Sequence, residues 1–122
     1  MQAYDDCNIF AKILRKEIKA KIIYETPFSL AFYDAFPKTP VHVLVIPKGS
    51  YCDMNHFLKE ATQEEILDFW QAVHHVISFM SLHQQGFRMI TNSGVNGGQE
   101  VPHFHVHVCG GKNLGAMFAE KD

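Results

Sequence analysis

Three histidines stand at every second position of the segment PHFHVHVCGG, residues 102–111. A strand over 103–108 would place His103, His105 and His107 on one face and the intervening apolar side chains on the other. The outer two Cα atoms would then lie about 13 Å apart, whereas zinc holds each ligand nitrogen at about 2.0–2.1 Å. The spacing therefore predicts a row of imidazoles and not a cluster around one ion.

A row of imidazoles suits phosphoryl chemistry, with a central nucleophile and a donor on each side. An imidazole nitrogen can form a covalent intermediate, and positioning with electrostatic stabilisation does most of the work in such transfers. Neighbouring imidazoles also disfavour each other's protonation, so that one can stay neutral near pH 7. The loop before the histidines supports this interpretation, since Gly94, Gly97 and Gly98 let backbone amides approach an anion.

Two other interpretations of the histidines stay open. Two of them could bind a metal in an HxH arrangement, as His103 and His105 would with His42 as a third ligand. The three could also be tolerated on a half-buried face, although desolvated imidazoles cost stability unless each finds a partner.

The rest of the chain predicts the elements that position these residues. Apolar spacing indicates a short amphipathic helix in NIFAKILRKEI, and a capping box at Thr62 and Glu65 begins a long helix that runs to about Leu82. β-branched and aromatic runs predict strands over 22–26, 29–34, 41–49, 86–92 and 103–108. The predicted fold class is α+β: one domain over residues 1–122, with a mainly antiparallel sheet of about five strands, one long helix and one short helix.

Composition narrows the partners and the compartment. The net charge of −2 lacks the basic excess of nucleic-acid-binding proteins. No stretch approaches the ~18 apolar residues that span a bilayer, and the three cysteines form no CxxC pair. We expect a cytoplasmic protein with reduced thiols that binds neither nucleic acid nor membrane.

These residues resemble the histidine triad (HIT) family, and within it the Hint-type branch of purine nucleoside phosphoramidases. The resemblance covers NIFAKI near the start, AFYDAFPKTPVHVLVIPK at 31–48, and the glycine-rich loop that leads into HFHVHVCGG. It implies a nucleotidyl hydrolase that attacks the α-phosphorus of a purine nucleotide joined to an amine. Water then releases the nucleotide from the enzyme.

The resemblance also assigns roles to the histidines. His105 would be the nucleophile. His103 and His107 would serve the phosphate oxygens and hold the nucleophile's orientation, while His42 would support the triad from the neighbouring strand. It further implies a nucleotide pocket in which Asp34 binds the ribose hydroxyls. In this pocket Ile9 and Phe10 lie near the base, and the segment that lines the phosphate contains Asn92, Gly98 and Gln99. On the helical spacing alone, Ile9 and Phe10 would be core residues.

By the same resemblance the protein needs no cofactor or metal and forms a homodimer through its long helix and an edge strand. A hydrolase of dinucleoside polyphosphates from another branch of the family is the nearest alternative. A non-enzymatic nucleotide-binding or scaffold protein is the alternative from a different class.

The sequence departs from the family pattern at three places. Asn8-Ile-Phe-Ala11 stands where some members carry a CIFC zinc motif, so we expect no structural zinc there. Glu100 replaces a serine credited with helping the leaving amine. The tail after Gly111 lacks a tryptophan that reaches the partner subunit in some relatives.

Overall fold

A five-stranded antiparallel sheet forms the centre of the molecule. The computed structural model describes residues 3–119. Every pair of neighbouring strands is antiparallel, in the order β1-β2-β3-β5-β4. The strands are β1 (Ile22–Glu25), β2 (Ser29–Tyr33), β3 (Val41–Pro47), β4 (Phe87–Ile90) and β5 (Val106–Gly110). The predicted α+β class is confirmed.

Four helices, two more than predicted, occur in the described part of the chain. They are α1 (Ile9–Leu14), α2 (Met54–Glu60), α3 (Gln63–Phe79) and the single turn α4 (Leu82–Gln85). The predicted capping box of α3 is present. The extension of α1 to Ile18 is wrong, because the helix ends at Leu14 with Arg15 as its C-cap, and Lys16 then adopts a left-handed φ of 64°.

The sheet is covered on both faces where the central strands lie. α3 packs on one face, where buried aromatic rings that include Phe57, Phe69 and Phe104 fill the core. On the other face, α1 packs Phe10 and Ile13 against β2 and β3. As predicted, β3 is therefore buried on both sides over almost its whole length.

The strand that carries the histidines begins after His105, not at His103 as predicted. The backbone before it finds partners outside the sheet. Phe104 donates its N–H to the carbonyl of Tyr51 at 2.8 Å, and the hydroxyl of Thr91 donates to the carbonyl of His105 at 2.8 Å. These bonds replace the ladder that β4 would otherwise supply.

The predicted alternation of side chains survives although the ladder does not. Phe104 points into the core beneath α3, whereas His103 and His105 pack on the opposite side against Phe10 of α1. Residues 101–103 form a bend and residues 104 and 105 belong to no regular element, so here the contacts of the side chains show the alternation, and a strand ladder does not.

Within residues 3–119, no helix is long and apolar enough to cross a membrane. The cytoplasmic location and the absence of a nucleic-acid partner stay predictions. The ends of the predicted domain, residues 1–2 and 120–122, lie outside the described residues.

Candidate active site

His105 presents one unblocked ring nitrogen. Its Nδ1 lies 2.7 Å from the carbonyl oxygen of His103, and since a carbonyl only accepts, Nδ1 carries the proton. Nε2 is then unprotonated and hydrogen-bonds to no described residue. Because no buried side-chain nitrogen or oxygen among those residues lacks a partner, Nε2 must reach the surface. The ring is fixed between Phe10 and His107, whose centroids lie 4.9 and 5.0 Å away.

His42 and His107 form a second oriented pair. The backbone N–H of Lys38 donates to Nδ1 of His42 at 3.1 Å, so the proton of His42 resides on Nε2. That Nε2 donates to Nδ1 of His107 at 2.9 Å. His107 in turn carries its proton on Nε2, where it can serve as a donor to a bound ligand. The predicted support of the triad by His42 therefore has a direct geometric basis.

The ring of His103 is engaged at both nitrogens. Nε2 lies 2.9 Å from the carbonyl of Pro47, and Nδ1 lies 2.6 Å from the hydroxyl of Tyr4. The side chain is fully buried. His103 therefore has no ring nitrogen free for a phosphate oxygen or for the predicted metal set with His105 and His42. Of its two predicted roles, the one that the structure supports is orientation of the nucleophile.

The three triad imidazoles are neutral at pH 7. Burial lowers the pKa of His103 and of His107 to about 4, and it also lowers the pKa of His105. Neighbouring imidazoles lower the pKa values of His103 and His107 further, but desolvation is the larger cause. The sequence predicts that mutual repulsion keeps one imidazole neutral, whereas in the structure burial is the main cause and it acts on all three.

These lowered pKa values make the stability of the fold sensitive to acid. An unfolded chain protonates His103 and His107 near pH 6.5, whereas the folded chain resists protonation down to about pH 4. The unfolded state thus binds more protons in this window, and each histidine removes about 1.4 kcal/mol of stability per pH unit as pH falls. We expect urea unfolding midpoints to drop between pH 6.5 and 4.5, and less steeply in His107→Asn. An identical slope in the two proteins would contradict this assignment.

Asp34 lies beside the histidine pair. Its Oδ1 accepts the backbone N–H of Phe36 at 2.8 Å, and its Oδ2 lies 3.4 Å from Nε2 of His42. Ligand atoms of Asp34, His42 and His107 all lie within 4.8 Å of one another, which is compatible with a metal site. A metal here would have to break the hydrogen bond between the two imidazoles. The set also differs from the one predicted from sequence.

The side chains of the glycine-rich loop hold the loop itself. Asn92 donates to the carbonyl of Gly97 at 2.7 Å. The amide of Gln99 donates to the carbonyl of Cys52 at 2.7 Å and accepts the N–H of Gly94 at 3.1 Å. The backbone N–H of Gln99 is engaged as well, because it donates to the carbonyl of Gly94 at 3.1 Å, so a phosphate would have to displace a bond within the loop to use either donor of Gln99.

Gly98 and Glu100 shape the end of the loop nearest the nucleophile. Gly98 has a φ of 73°, a conformation that disfavours any residue with a Cβ. Glu100 is exposed, and its carboxylate acts on His105 to raise its pKa against the larger effect of burial. Together with Asp34, it offsets part of the effect of burial, although the pKa of His105 stays below its usual value.

The two α1 residues differ in exposure. Phe10 is 6% exposed and packs against both His103 and His105, so it is a core residue that also borders the site. Ile9 is 46% exposed, and its prediction as a core residue is wrong. The short α1 turns Ile9 toward solvent, where a ligand could contact it.

Two site residues were missed from sequence. Tyr4 contacts His103 across 99 positions of the chain, and Thr91 anchors the carbonyl of His105. Neither contact has a periodic signature. Thr91 could have been suspected as the residue that ends β4, but nothing in the sequence singles out Tyr4.

Comparison with known proteins agrees with this architecture. The family model of the HIT domain matches residues 15–114. This chain belongs to the HIT family. An uncharacterized HIT-like protein of Azospirillum brasilense is 44% identical over 119 residues, which cover 98% of each chain.

Two further relatives of this HIT protein carry functional names. A purine nucleoside phosphoramidase of Escherichia coli K12 is 38% identical over 115 residues, which cover 93% of this chain and 95% of that protein. The solved structure of a HIT family hydrolase from Clostridium thermocellum has a TM-score of 0.79 at 34% identity and covers 92% of this chain and 96% of that one.

Proposed function

We propose that this HIT protein is a nucleoside phosphoramidase that hydrolyses the P–N bond of purine nucleoside phosphoramidates. The observation that carries the proposal is the state of His105: neutral, held at Nδ1 by a carbonyl, and presenting Nε2 without a partner. A nucleophilic imidazole needs this combination. The name and 38% identity of the Escherichia coli relative favour a phosphoramidate substrate.

In the first step, the Nε2 lone pair of His105 attacks the α-phosphorus and the P–N bond to the amine breaks. The bonding pair leaves with the amine nitrogen, which takes a proton from solvent. His105 keeps its Nδ1 proton and becomes a nucleotidyl imidazolium. The Nε2–H of His107 is placed to donate to the phosphate oxygens as charge develops on them.

In the second step, water attacks phosphorus and the bond from phosphorus to His105 breaks. Over the cycle one water is consumed, because its hydroxyl ends on phosphorus and its second proton balances the one taken by the amine. The carboxylates of Asp34 and Glu100 favour the positive charge that His105 carries between the steps. The carbonyl of His103 accepts from the same ring throughout.

The nucleoside would occupy the side of the site that Asp34 and α1 border. Asp34 is part-buried, and its carboxylate oxygens retain acceptor capacity for the ribose hydroxyls beyond their present contacts. The exposed Ile9 is available to the base. The loop around Gly98 would border the phosphate, which would have to displace the bonds that the N–H groups of Gly98 and Gln99 make to loop carbonyls in order to use them.

The deciding experiment is release of AMP from a fluorogenic adenosine phosphoramidate in excess chelator, compared with cleavage of a diadenosine polyphosphate. We expect turnover of the phosphoramidate that the chelator leaves unchanged, with slower cleavage of the polyphosphate. Faster cleavage of the polyphosphate would replace the proposal with the other hydrolase activity. Loss of activity in chelator would favour a metal at Asp34, His42 and His107. Nucleotide binding without turnover of either substrate would favour a sensor.

A homodimer is part of the same proposal. β4 is an edge strand whose Phe87, Met89 and Ile90 are 40%, 44% and 38% exposed, and α3 exposes Leu67 and Phe79. An apolar edge strand readily pairs with another chain. Sedimentation equilibrium should give twice the mass of one chain, and a monomer at micromolar concentration would contradict the dimer.

A further inference from the structure

The ring of His103 is held by a hydrogen bond at each nitrogen, and the hydroxyl of Tyr4 supplies one of the two. Nε2 of His103 faces the carbonyl of Pro47 at 2.9 Å, which requires an N–H at that position. Nδ1 is therefore an acceptor, and the Tyr4 hydroxyl donates to it at 2.6 Å. The opposite tautomer would aim a lone pair at the carbonyl of Pro47 and leave two buried acceptors facing each other.

A hydrogen bond from Asn8 orients the hydroxyl of Tyr4 so that its proton points to His103. The Asn8 amide donates to the oxygen of Tyr4 at 3.0 Å, so that oxygen already acts as an acceptor on its other side. The carbonyl oxygen of the same Asn8 side chain accepts the N–H of Ala11 and caps α1. One buried side chain thus begins the helix and orients the tyrosine hydroxyl.

The backbone carbonyl of His103 connects this fixed ring to the nucleophile, His105. It accepts the Nδ1–H of His105 at 2.7 Å and so determines that the opposite nitrogen of His105 is unprotonated. Because hydrogen bonds at both nitrogens fix the ring of His103, they also restrict movement of the backbone carbonyl of the same residue. Phe10 packs edge-on against both imidazoles and limits their rotation.

We propose that Tyr4 is a positioning residue for the nucleophile, acting from Asn8 through Tyr4 and His103 to His105. The proposal rests on the proposed function, since it assigns a further residue to the same reaction. Tyr4 does not contact the substrate in this account. Its removal should therefore lower kcat and leave KM nearly unchanged.

The test is Tyr4→Phe, which removes the hydroxyl and keeps the ring. We expect kcat to fall roughly tenfold, since a small misplacement of a reacting group has effects of this order or larger, with KM within about twofold of wild type. Tyr33→Phe is the matched control, because its exposed hydroxyl contacts only Met80 in the described residues. We expect it to keep the wild-type kcat.

Nitrogen-15 NMR of the histidine rings in the free protein gives a readout that needs no substrate. In wild type His103 should show the tautomer protonated at Nε2, with the resonance of the unprotonated Nδ1 displaced by the hydrogen bond from Tyr4. In Tyr4→Phe the carbonyl of Pro47 keeps the same tautomer, and the Nδ1 resonance should move to that of an acceptor without a donor. An unchanged Nδ1 resonance in the variant overturns the proposal whether or not the protein turns over a phosphoramidate. Wild-type kcat in Tyr4→Phe overturns it equally.

A second variant tests the other end of this series of bonds. Asn8→Asp keeps an oxygen to cap α1 but replaces the amide donor with an acceptor that competes with His103 for the Tyr4 proton. It also removes the donor to the carbonyl of Asp5 at 2.6 Å and buries a carboxylate, so we expect a lower unfolding midpoint together with the same loss of kcat and the same change of the His103 Nδ1 resonance. Turnover of each variant is therefore measured at a temperature at which circular dichroism shows it to be fully folded. Wild-type kcat in either fully folded variant would show that Tyr4 is merely structural, and the proposal fails.

Discussion

Replacing His105 with alanine should reduce kcat/KM for an adenosine phosphoramidate by roughly 10⁴-fold or more, because loss of a covalent nucleophile removes the whole two-step route. No neighbouring imidazole can take over. Both ring nitrogens of His103 are engaged, and Nε2 of His107 carries a proton. Single-turnover release of AMP is the direct measurement.

The covalent adduct gives an independent check on the same residue. Rapid quenching of wild type in alkaline denaturant, which preserves the acid-labile P–N bond, should leave a nucleotide that peptide fragmentation locates at His105, and mass spectrometry should find none in the alanine variant. His74→Ala is a suitable control because this exposed histidine lies on α3, outside the site. An adduct on His103 or His107, or a variant that retains substantial turnover, would contradict His105 as the nucleophile.

Phe104→Ala should destabilise the fold by about 3–5 kcal/mol, which is a large part of the total stability of a domain. Phe104 is 1% exposed and packs on Phe57 and Phe69 with ring centroids 5.0 Å away in each case. Its removal opens a cavity directly beneath the backbone of the two histidines that flank it. We expect lower turnover as well as a lower urea midpoint.

A matched substitution separates cavity formation from loss of hydrophobicity in general. Phe118→Ala removes the same side chain at a position that is 77% exposed, and it should change stability by only a fraction of the Phe104 effect. Phe104→Leu should recover part of the lost stability by refilling the space. Similar midpoints for Phe104→Ala and Phe118→Ala would show that the core relaxes around the cavity.

Local patterns predicted the parts of the site that depend on periodicity. Alternation correctly placed His103, His105 and His107 on the side of the chain opposite Phe104, and the apolar run of β3 correctly placed His42 near a buried strand. The capping box at Thr62 predicted the start of α3 because both bonds lie within four residues. Family resemblance added the assignment of roles, which periodicity alone does not supply.

The errors arose where tertiary contacts replaced local ones. The predicted start of the strand at His103 is wrong because the backbone of Phe104 and of His105 bonds to Tyr51 and Thr91. Alternation of apolar and polar residues cannot reveal such contacts. Asp53 caps α2 through its side chain, a local signal that was present and went unused. Ile9 matches a helical stripe, but α1 is too short for the whole stripe to face the sheet.

The contact of Tyr4 with His103 also bears on how the molecule acquires activity after synthesis. The two residues are 99 positions apart, so their bond closes one of the longest loops in the chain, whereas α3 and the β1–β2 hairpin involve near neighbours. Long loops carry a higher entropic cost of closure, and contacts that depend on them tend to form late. During refolding, recovery of turnover should therefore lag behind the far-ultraviolet circular dichroism signal. Catalytic competence would then mark the final docking of the amino-terminal segment and not the formation of the sheet.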